Sequence, residues 1–220
     1  MQLHSIDKKA VMAITGLMLV GFVIMHLLGN LTLYFGPDGI NAYAEMLDHL
    51  GELLWVARAG LIAAVILHIL LAVSLTLENR AARPVGYAVK RSLHTTYAAR
   101  TMAISGILLT VFIVYHLMHF TFRVTHPALS HLTDAAGRRD VYHMVVLSFQ
   151  DPCLTAGYIL AMALLCSHLS HGVGSFLQSL GLNDERLLPV VEKIGRLLAA
   201  ALFVGYASIP ATILLGLVKP

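Results

Sequence analysis

The stretch SGILLTVFIVYHLMHF, residues 105–120, is almost entirely apolar, yet it carries two histidines, His116 and His119, near its end. Titratable side chains are costly inside a bilayer, and those that occur there generally have a function. The surrounding run, residues 98–122, is long enough to cross a membrane, because a hydrocarbon core of about 30 Å needs about 20 apolar residues. This stretch therefore predicts a membrane helix that carries a histidine site.

Four other runs of similar length and composition lie at about 10–34, 54–77, 153–176 and 194–217. The chain of 220 residues is 58% hydrophobic and 12% charged, whereas soluble domains are about 25% charged. Little sequence remains outside the runs, and no CxxCH motif for covalent haem attachment occurs. We therefore expect one membrane-embedded domain over 1–220, an all-α integral membrane protein with five transmembrane helices.

The basic residues predict how the chain is oriented. Cytoplasmic loops of membrane proteins carry an excess of Lys and Arg. If each run crosses once, ten of the 15 basic residues fall on the side of the N-terminus, and the loop 79–97 is the most basic segment. We expect a cytoplasmic N-terminus and, on the other side, a short interfacial helix over the acidic segment 40–52. The positive charge thus indicates topology, and we expect no nucleic-acid partner.

Each of the first four runs contains at least one histidine. Counting 1.5 Å per residue from the cytoplasmic ends places His26 and His116 about 24–27 Å across the membrane, and His68 and His168 about 12–14 Å across. Neutral imidazole is a good iron ligand. Two imidazoles at one depth on different helices can hold one haem from both faces. The depths predict two haems in two layers, which is a path for electrons.

Four segments, in their order and spacing, resemble the cytochrome b subunit of succinate:quinone oxidoreductases, the single-chain, five-helix, di-haem type of succinate dehydrogenases and fumarate reductases. They are AITGLMLVGFVIMHLLGN (13–30), LIAAVILHILLAV (61–73), SGILLTVFIVYHLMHF (105–120) and SHLSHGVGSFLQSLG (167–181). The resemblance covers essentially the whole chain. It implies a cytochrome b domain in a bacterial cytoplasmic (inner) membrane, in which the first four helices form a bundle around two haem b groups.

The resemblance also implies which histidines hold iron. In the family, the third-span ligand follows a glycine by ten residues, which matches Gly106 and His116. The fourth-span ligand precedes a glycine by thirteen residues, which matches His168 and Gly181. The side chains expected to contact haem propionates or to surround the ligands are His119, His171, Lys90, Arg91 and Arg100.

By the same resemblance, the two layers have different neighbours. His68 and His168 hold the proximal haem, close to two cytoplasmic partners, a flavoprotein and an iron–sulfur protein. His26 and His116 hold the distal haem. Because this chain has no flavin or iron–sulfur motif, it would be the membrane subunit of a quinone-dependent enzyme complex, with no dicarboxylate chemistry of its own. The direction of the reaction and dimerisation of the complex stay open.

The implied lipid-soluble substrate is menaquinone or menaquinol, whose oxidation releases protons. The acidic outer segment supplies the candidate proton acceptors Glu45, Asp48, His49 and Glu52. Some fumarate reductases of the family carry a glutamate inside the fourth span that helps protons to cross. Cys166 occupies the matching position here, which puts a proton pathway of that kind in doubt.

Two other functions fit parts of the pattern. The di-haem cytochrome b of a membrane hydrogenase or formate dehydrogenase also uses intramembrane histidines, although the glycine and histidine contexts fit it less well. A histidine-lined metal or proton transporter would be expected to mix carboxylates with histidines at the midplane. Spans one to four contain no deep Asp or Glu, which disfavours the transporter.

Overall fold

The computed structural model describes residues 4–82, 96–182 and 184–220. Within these ranges the chain forms seven α-helices: α1 (Ser5–Leu31), α2 (Pro37–Asp48), α3 (Glu52–Ala81), α4 (Tyr97–His116), α5 (Val141–Phe149), α6 (Pro152–Ser179) and α7 (Leu187–Leu214). Short 3-10 turns cover Thr32–Phe35 and Pro127–Leu129, and a π-helical turn covers Leu117–Thr121. The β-pairing in these ranges is one isolated bridge between Thr133 and Arg139. The all-α prediction is confirmed.

Five helical segments are long and apolar enough to cross a membrane: Ser5–Phe35, Glu52–Ala81, Tyr97–Thr121, Pro152–Ser179 and Leu187–Leu214. They coincide with the five predicted runs. At most 28% of the most apolar window of any of them is buried inside the chain, so most of their apolar surface is available to lipid. The fifth helix begins at Leu187 rather than near 194, because its first turns include charged residues that a hydropathy run excludes.

The central helix of the bundle is α6, which packs against α1, α4 and α7, while α3 packs on α1. The fifth span, α7, packs mainly on α6 and also contacts α1. Its Tyr206 hydroxyl donates a hydrogen bond of 2.7 Å to the carbonyl of Val23 on α1. Beside it, a Cβ at Gly205 would lie 2.7 Å from Leu27, so this glycine allows α7 to approach α1 closely.

The end of the bundle opposite the N-terminus, called the outer end below, is covered by two short helices. The predicted interfacial helix is α2, although it ends at Asp48, and Glu52 begins α3. The segment 123–151, which its polarity marks as a loop, also contains α5. Val146 of α5 is fully buried, in a cluster with Leu33, Tyr158 and residues of α7. A helix as short as α5 is not recognised by a search for membrane-length apolar runs.

The end of the bundle at which α1 begins, called the inner end below, is held together by a polar contact between α1 and α3. The ammonium of Lys8 donates to Ser74 Oγ at 3.0 Å and pairs with the carboxylate of Glu78. The start of α1 and the end of α3 therefore lie at one face, as alternating spans require. Lys90 and Arg91, expected near a haem propionate, lie outside the described residues.

Candidate functional site

The imidazoles of His26 on α1 and His116 on α4 lie side by side. Their ring centroids are 5.9 Å apart and their planes stand at 84°. Phe22 stacks on the His26 ring at 5.2 Å, and Tyr206 lies 6.3 Å from it. Nδ1 of His116 is buried and has no hydrogen-bond partner among the described groups. A buried polar atom of this kind generally has a partner, so His116 is open to a ligand.

His119, one turn beyond His116, is in a different situation. It lies on the π-helical turn and is 2% exposed. Its Nδ1 is 2.9 Å from the Tyr158 hydroxyl and its Nε2 is 3.1 Å from Ser148 Oγ. Because both ring nitrogens are engaged, His119 has no free nitrogen to offer to iron.

The two other predicted ligands, His68 on α3 and His168 on α6, are each held by a neighbouring helix. Nδ1 of His68 is 3.2 Å from Thr15 Oγ1 on α1. Nδ1 of His168 is 3.1 Å from Ser105 Oγ on α4. Both rings are only partly buried in the chain. The structure thus brings the outer pair into ring contact and anchors each inner ring separately.

The outer pair is a donor set that would fit a shared iron. Two neutral imidazoles on different helices lie with ring centroids 5.9 Å apart, and neutral imidazole is a good iron ligand. The described residues contain no cluster of three His, Cys, Asp or Glu that would hold a metal ion.

Two further predicted contacts lie towards the inner end of the bundle, away from the pair His26 and His116. His171 is on α6, one turn beyond His168, and is partly buried. Arg100 lies in the first turn of α4 with its side chain exposed. Both are towards the inner end of the bundle, on the side of His68 and His168.

Three of the four candidate proton acceptors meet at one cleft on the outer end. Glu45, Asp48 and His49 line a cleft of about 220 Å³ together with Arg138 and Arg139. Asp48 accepts a hydrogen bond of 3.0 Å from Arg139, and Glu45 lies 4.0 Å from His49. Nε of Arg139 is buried without a hydrogen-bond partner among the described groups. The fourth candidate, Glu52 at the start of α3, is not among the residues that line this cleft.

Arg138 is fixed at this cleft by two carboxylates. It donates to Asp38 at 2.6 Å and to Asp134 at 2.7 Å, and these bonds raise the pKa of Arg138. Burial acts to raise the pKa of Asp134, but hydrogen bonds from Arg138 and Asn41 outweigh it and lower the pKa. Arg138 and Asp134 are therefore both charged at neutral pH.

A second carboxylate lies beside Asp134 in the same loop. Burial acts to raise the pKa of Asp140, but bonds from the His143 backbone, the Asn41 amide and the His143 ring outweigh it and lower the pKa. Asn41 is fully buried and also accepts from the Tyr142 backbone N–H at 3.0 Å. It thereby joins α2 to α5. In the sequence these residues are indistinguishable from other polar loop positions.

Comparison with protein-family models, curated proteins and solved structures finds no match to this chain.

Two of the residues that contact the histidines, Thr15 and Ser105, escape detection by hydropathy. Each directly precedes a glycine, and each glycine lies ten residues before a histidine of the outer pair, giving TG-x9-H on α1 and SG-x9-H on α4. The two helices thus share a short repeat. Comparing the helices with one another, rather than with a hydropathy threshold, would find it.

Proposed function

We propose that this chain is a di-haem b membrane cytochrome, the anchor of a quinone-dependent succinate dehydrogenase or fumarate reductase. The observation that carries the proposal is the pair His26 and His116, with ring centroids 5.9 Å apart and a buried His116 nitrogen without a partner among the described groups. The resemblance of the four histidine-bearing segments to that cytochrome family supports it. In this role the chain transmits electrons between menaquinol or menaquinone and two soluble subunits.

Four histidines would serve as the haem ligands. His26 and His116 would hold the outer haem, and His68 and His168 the inner one. When bound, haem supplies an iron that is reversibly oxidised and reduced by one electron. The engaged nitrogens of His119 support His116 as the ligand on α4, since the lone pair of a neutral imidazole cannot serve a hydrogen bond and a metal at once.

We place the quinone site at the outer cleft. A quinone oxygen needs a hydrogen-bond donor, and the hydroxyl of a quinol that is being oxidised needs a nearby proton acceptor. The Nε of Arg139, buried and unpaired among the described groups, supplies the donor. Glu45 and His49, which line the same cleft, supply the acceptor, because the carboxylate of Asp48 is already bonded to Arg139.

The flavoprotein and iron–sulfur subunits would dock at the inner end. Exposed basic side chains surround that end at the close of α3, the start of α4 and the start of α7: Arg80, Arg100, Arg186, Lys193 and Arg196. Such a basic surface favours partners with acidic docking faces. Electrons exchanged there would be closest to His68 and His168.

The proposal is tested by the haem content of the purified chain. A pyridine haemochrome spectrum with protein quantitation is expected to give two b-type haems per chain. His26→Ala and His68→Ala are each expected to retain one, whereas His49→Ala, at the outer cleft, retains both. A chain isolated without haem from haem-replete membranes would overturn the proposal. Reduction of the bound haem by a menaquinol analogue, slowed in Glu45→Gln, then tests the quinone site.

A further inference from the structure

The hydroxyls of Thr15 and Ser105 contact the two inner histidines in matching ways. Thr15 on α1 lies 3.2 Å from Nδ1 of His68, and Ser105 on α4 lies 3.1 Å from Nδ1 of His168. The glycine that follows each hydroxyl faces the same ring. A Cβ at the first glycine, residue 16, would lie 3.2 Å from Cε1 of His68, and one at the second, residue 106, would lie 3.7 Å from Cε1 of His168.

The contacts of His68 determine which of its nitrogens carries the proton. Its Nδ1 is also 3.2 Å from the carbonyl oxygen of Met12, and a carbonyl can only accept. Nδ1 of His68 is therefore the donor. The Thr15 hydroxyl donates to backbone carbonyls of its own helix, at 2.9 Å to Val11 and 3.0 Å to Met12, which leaves its lone pairs to accept from the ring.

His168 has the same arrangement with one acceptor fewer. Ser105 Oγ donates to the carbonyl of Met102 at 3.1 Å, so that it can accept from Nδ1 of His168. With the Ser105 hydrogen donated to Met102, Nδ1 of His168 would hold the proton as it does in His68, and Nε2 of each ring would keep its lone pair. Hydrogen bonds to the non-ligating nitrogen fix the orientation of metal-binding histidines and raise their basicity.

We infer that Thr15 and Ser105 are positioning residues that keep Nε2 of His68 and His168 available to the inner haem iron. The inference rests on the proposed function. A more basic imidazole stabilises ferric over ferrous iron, so these hydroxyls lower the reduction potential of the inner haem.

The test compares Ser105→Ala and Thr15→Val with Thr110→Val in the haem-loaded chain. Thr110 lies on α4 and bonds the Gly106 carbonyl of its own helix, at 2.8 Å, so it is a matched control. Ser105→Ala is expected to raise one of the two reduction potentials and to speed haem loss to an acceptor apoprotein by about 10–100-fold. Thr15→Val is expected to do less, because the carbonyl of residue 12 still accepts from the ring. Ser105→Thr keeps a hydroxyl and is expected to behave as the unmodified chain.

The results separate the inference from the proposed function. If the unmodified chain holds no haem, the proposed function fails. If it holds two haems, and Ser105→Ala and Thr15→Val match Thr110→Val in both potentials and in haem loss, the inference alone is wrong. If Ser105→Ala does not assemble in the membrane, Thr15→Val measured against Thr15→Ser decides, with a raised potential in the valine variant expected.

Discussion

The buried amide of Asn41 donates to the carboxylate of Asp140 at 3.2 Å and ties the outer helix α2 to the loop that enters α5. The same side chain donates to Asp134 at 3.3 Å and accepts from the backbone N–H of Tyr142 at 3.0 Å. One residue therefore satisfies three groups on a different segment of the chain. The position of α2, and with it the outer cleft, depends on this residue.

Replacing this residue is expected to loosen the outer end of the bundle. Asn41→Leu keeps the branched shape but removes the amide, which leaves the buried Tyr142 backbone N–H without its acceptor and takes one hydrogen bond each from Asp134 and Asp140, at a cost of about 1–3 kcal/mol. Hydrogen exchange of α5 in detergent is expected to speed up, while exchange of α3 stays unchanged. Gln150→Leu, at an exposed position after α5, serves as the control. Equal protection of α5 in both variants would contradict this role of Asn41.

The same end of the bundle is expected to lose stability in acid. The pKa values of Asp134 and Asp140 are lowered in the folded chain, so their contribution is complete above the unfolded value of about 4 and is lost as the pH falls through the folded values. Protection of α5 should be constant between pH 7 and pH 5 and fall below about pH 4. In Asp140→Asn this fall should be shallower. An unchanged acid profile in that variant would count against the assignment.

The two histidines on α4 and the π-helical turn after it are expected to respond differently to replacement. His116→Ala removes a proposed iron ligand, and we expect haem content to drop from two to one per chain. His119→Ala removes hydrogen bonds to Tyr158 and Ser148, so it should lower the melting temperature while both haems remain. Haemochrome quantitation and thermal melting in detergent measure the two effects. The opposite pattern would assign the iron to His119.

Gly39 is expected to tolerate no side chain. A Cβ there would lie 2.4 Å from the carbonyl oxygen of Thr32 and 2.8 Å from Cβ of Phe35, and relief requires a backbone shift. Gly39→Ala should therefore cost about 1–3 kcal/mol and slow oxidation of a menaquinol analogue by displacing α2. Gly60→Ala on α3, where a Cβ meets nothing within 4 Å, should be neutral or stabilising. Equal melting temperatures for the two variants would show that α2 is not seated by this contact.

The hydropathy of the chain is sufficient to predict the five spans, because each needs only a long apolar run. It is not sufficient for α5, which is mostly apolar but has only nine residues, and whose apolar side chains are buried by contact with α6 and α7. The choice between His116 and His119 likewise depends on Tyr158 and Ser148, which lie far away in sequence.

The hydroxyl contacts of the inner histidines are a second limit of prediction from the sequence. Thr15 on α1 contacts the His68 ring on α3, and Ser105 on α4 contacts the His168 ring on α6. These pairs depend on which helices are neighbours, and hydropathy carries no such information. The sequence shows that each hydroxyl precedes a histidine of its own helix at a fixed spacing. It does not show that the hydroxyl contacts a histidine of another helix.

The repeat shared by α1 and α4 sets the distance between the two proposed haem layers. Each of these helices carries an outer ring and, ten residues earlier, the glycine that faces an inner ring, a separation of about 15 Å along the axis. Membrane helices adapt to thicker or thinner bilayers largely by tilting, and tilting leaves distances along a rigid helix unchanged. The gap that an electron must tunnel across would therefore stay constant when the lipid composition of the membrane varies.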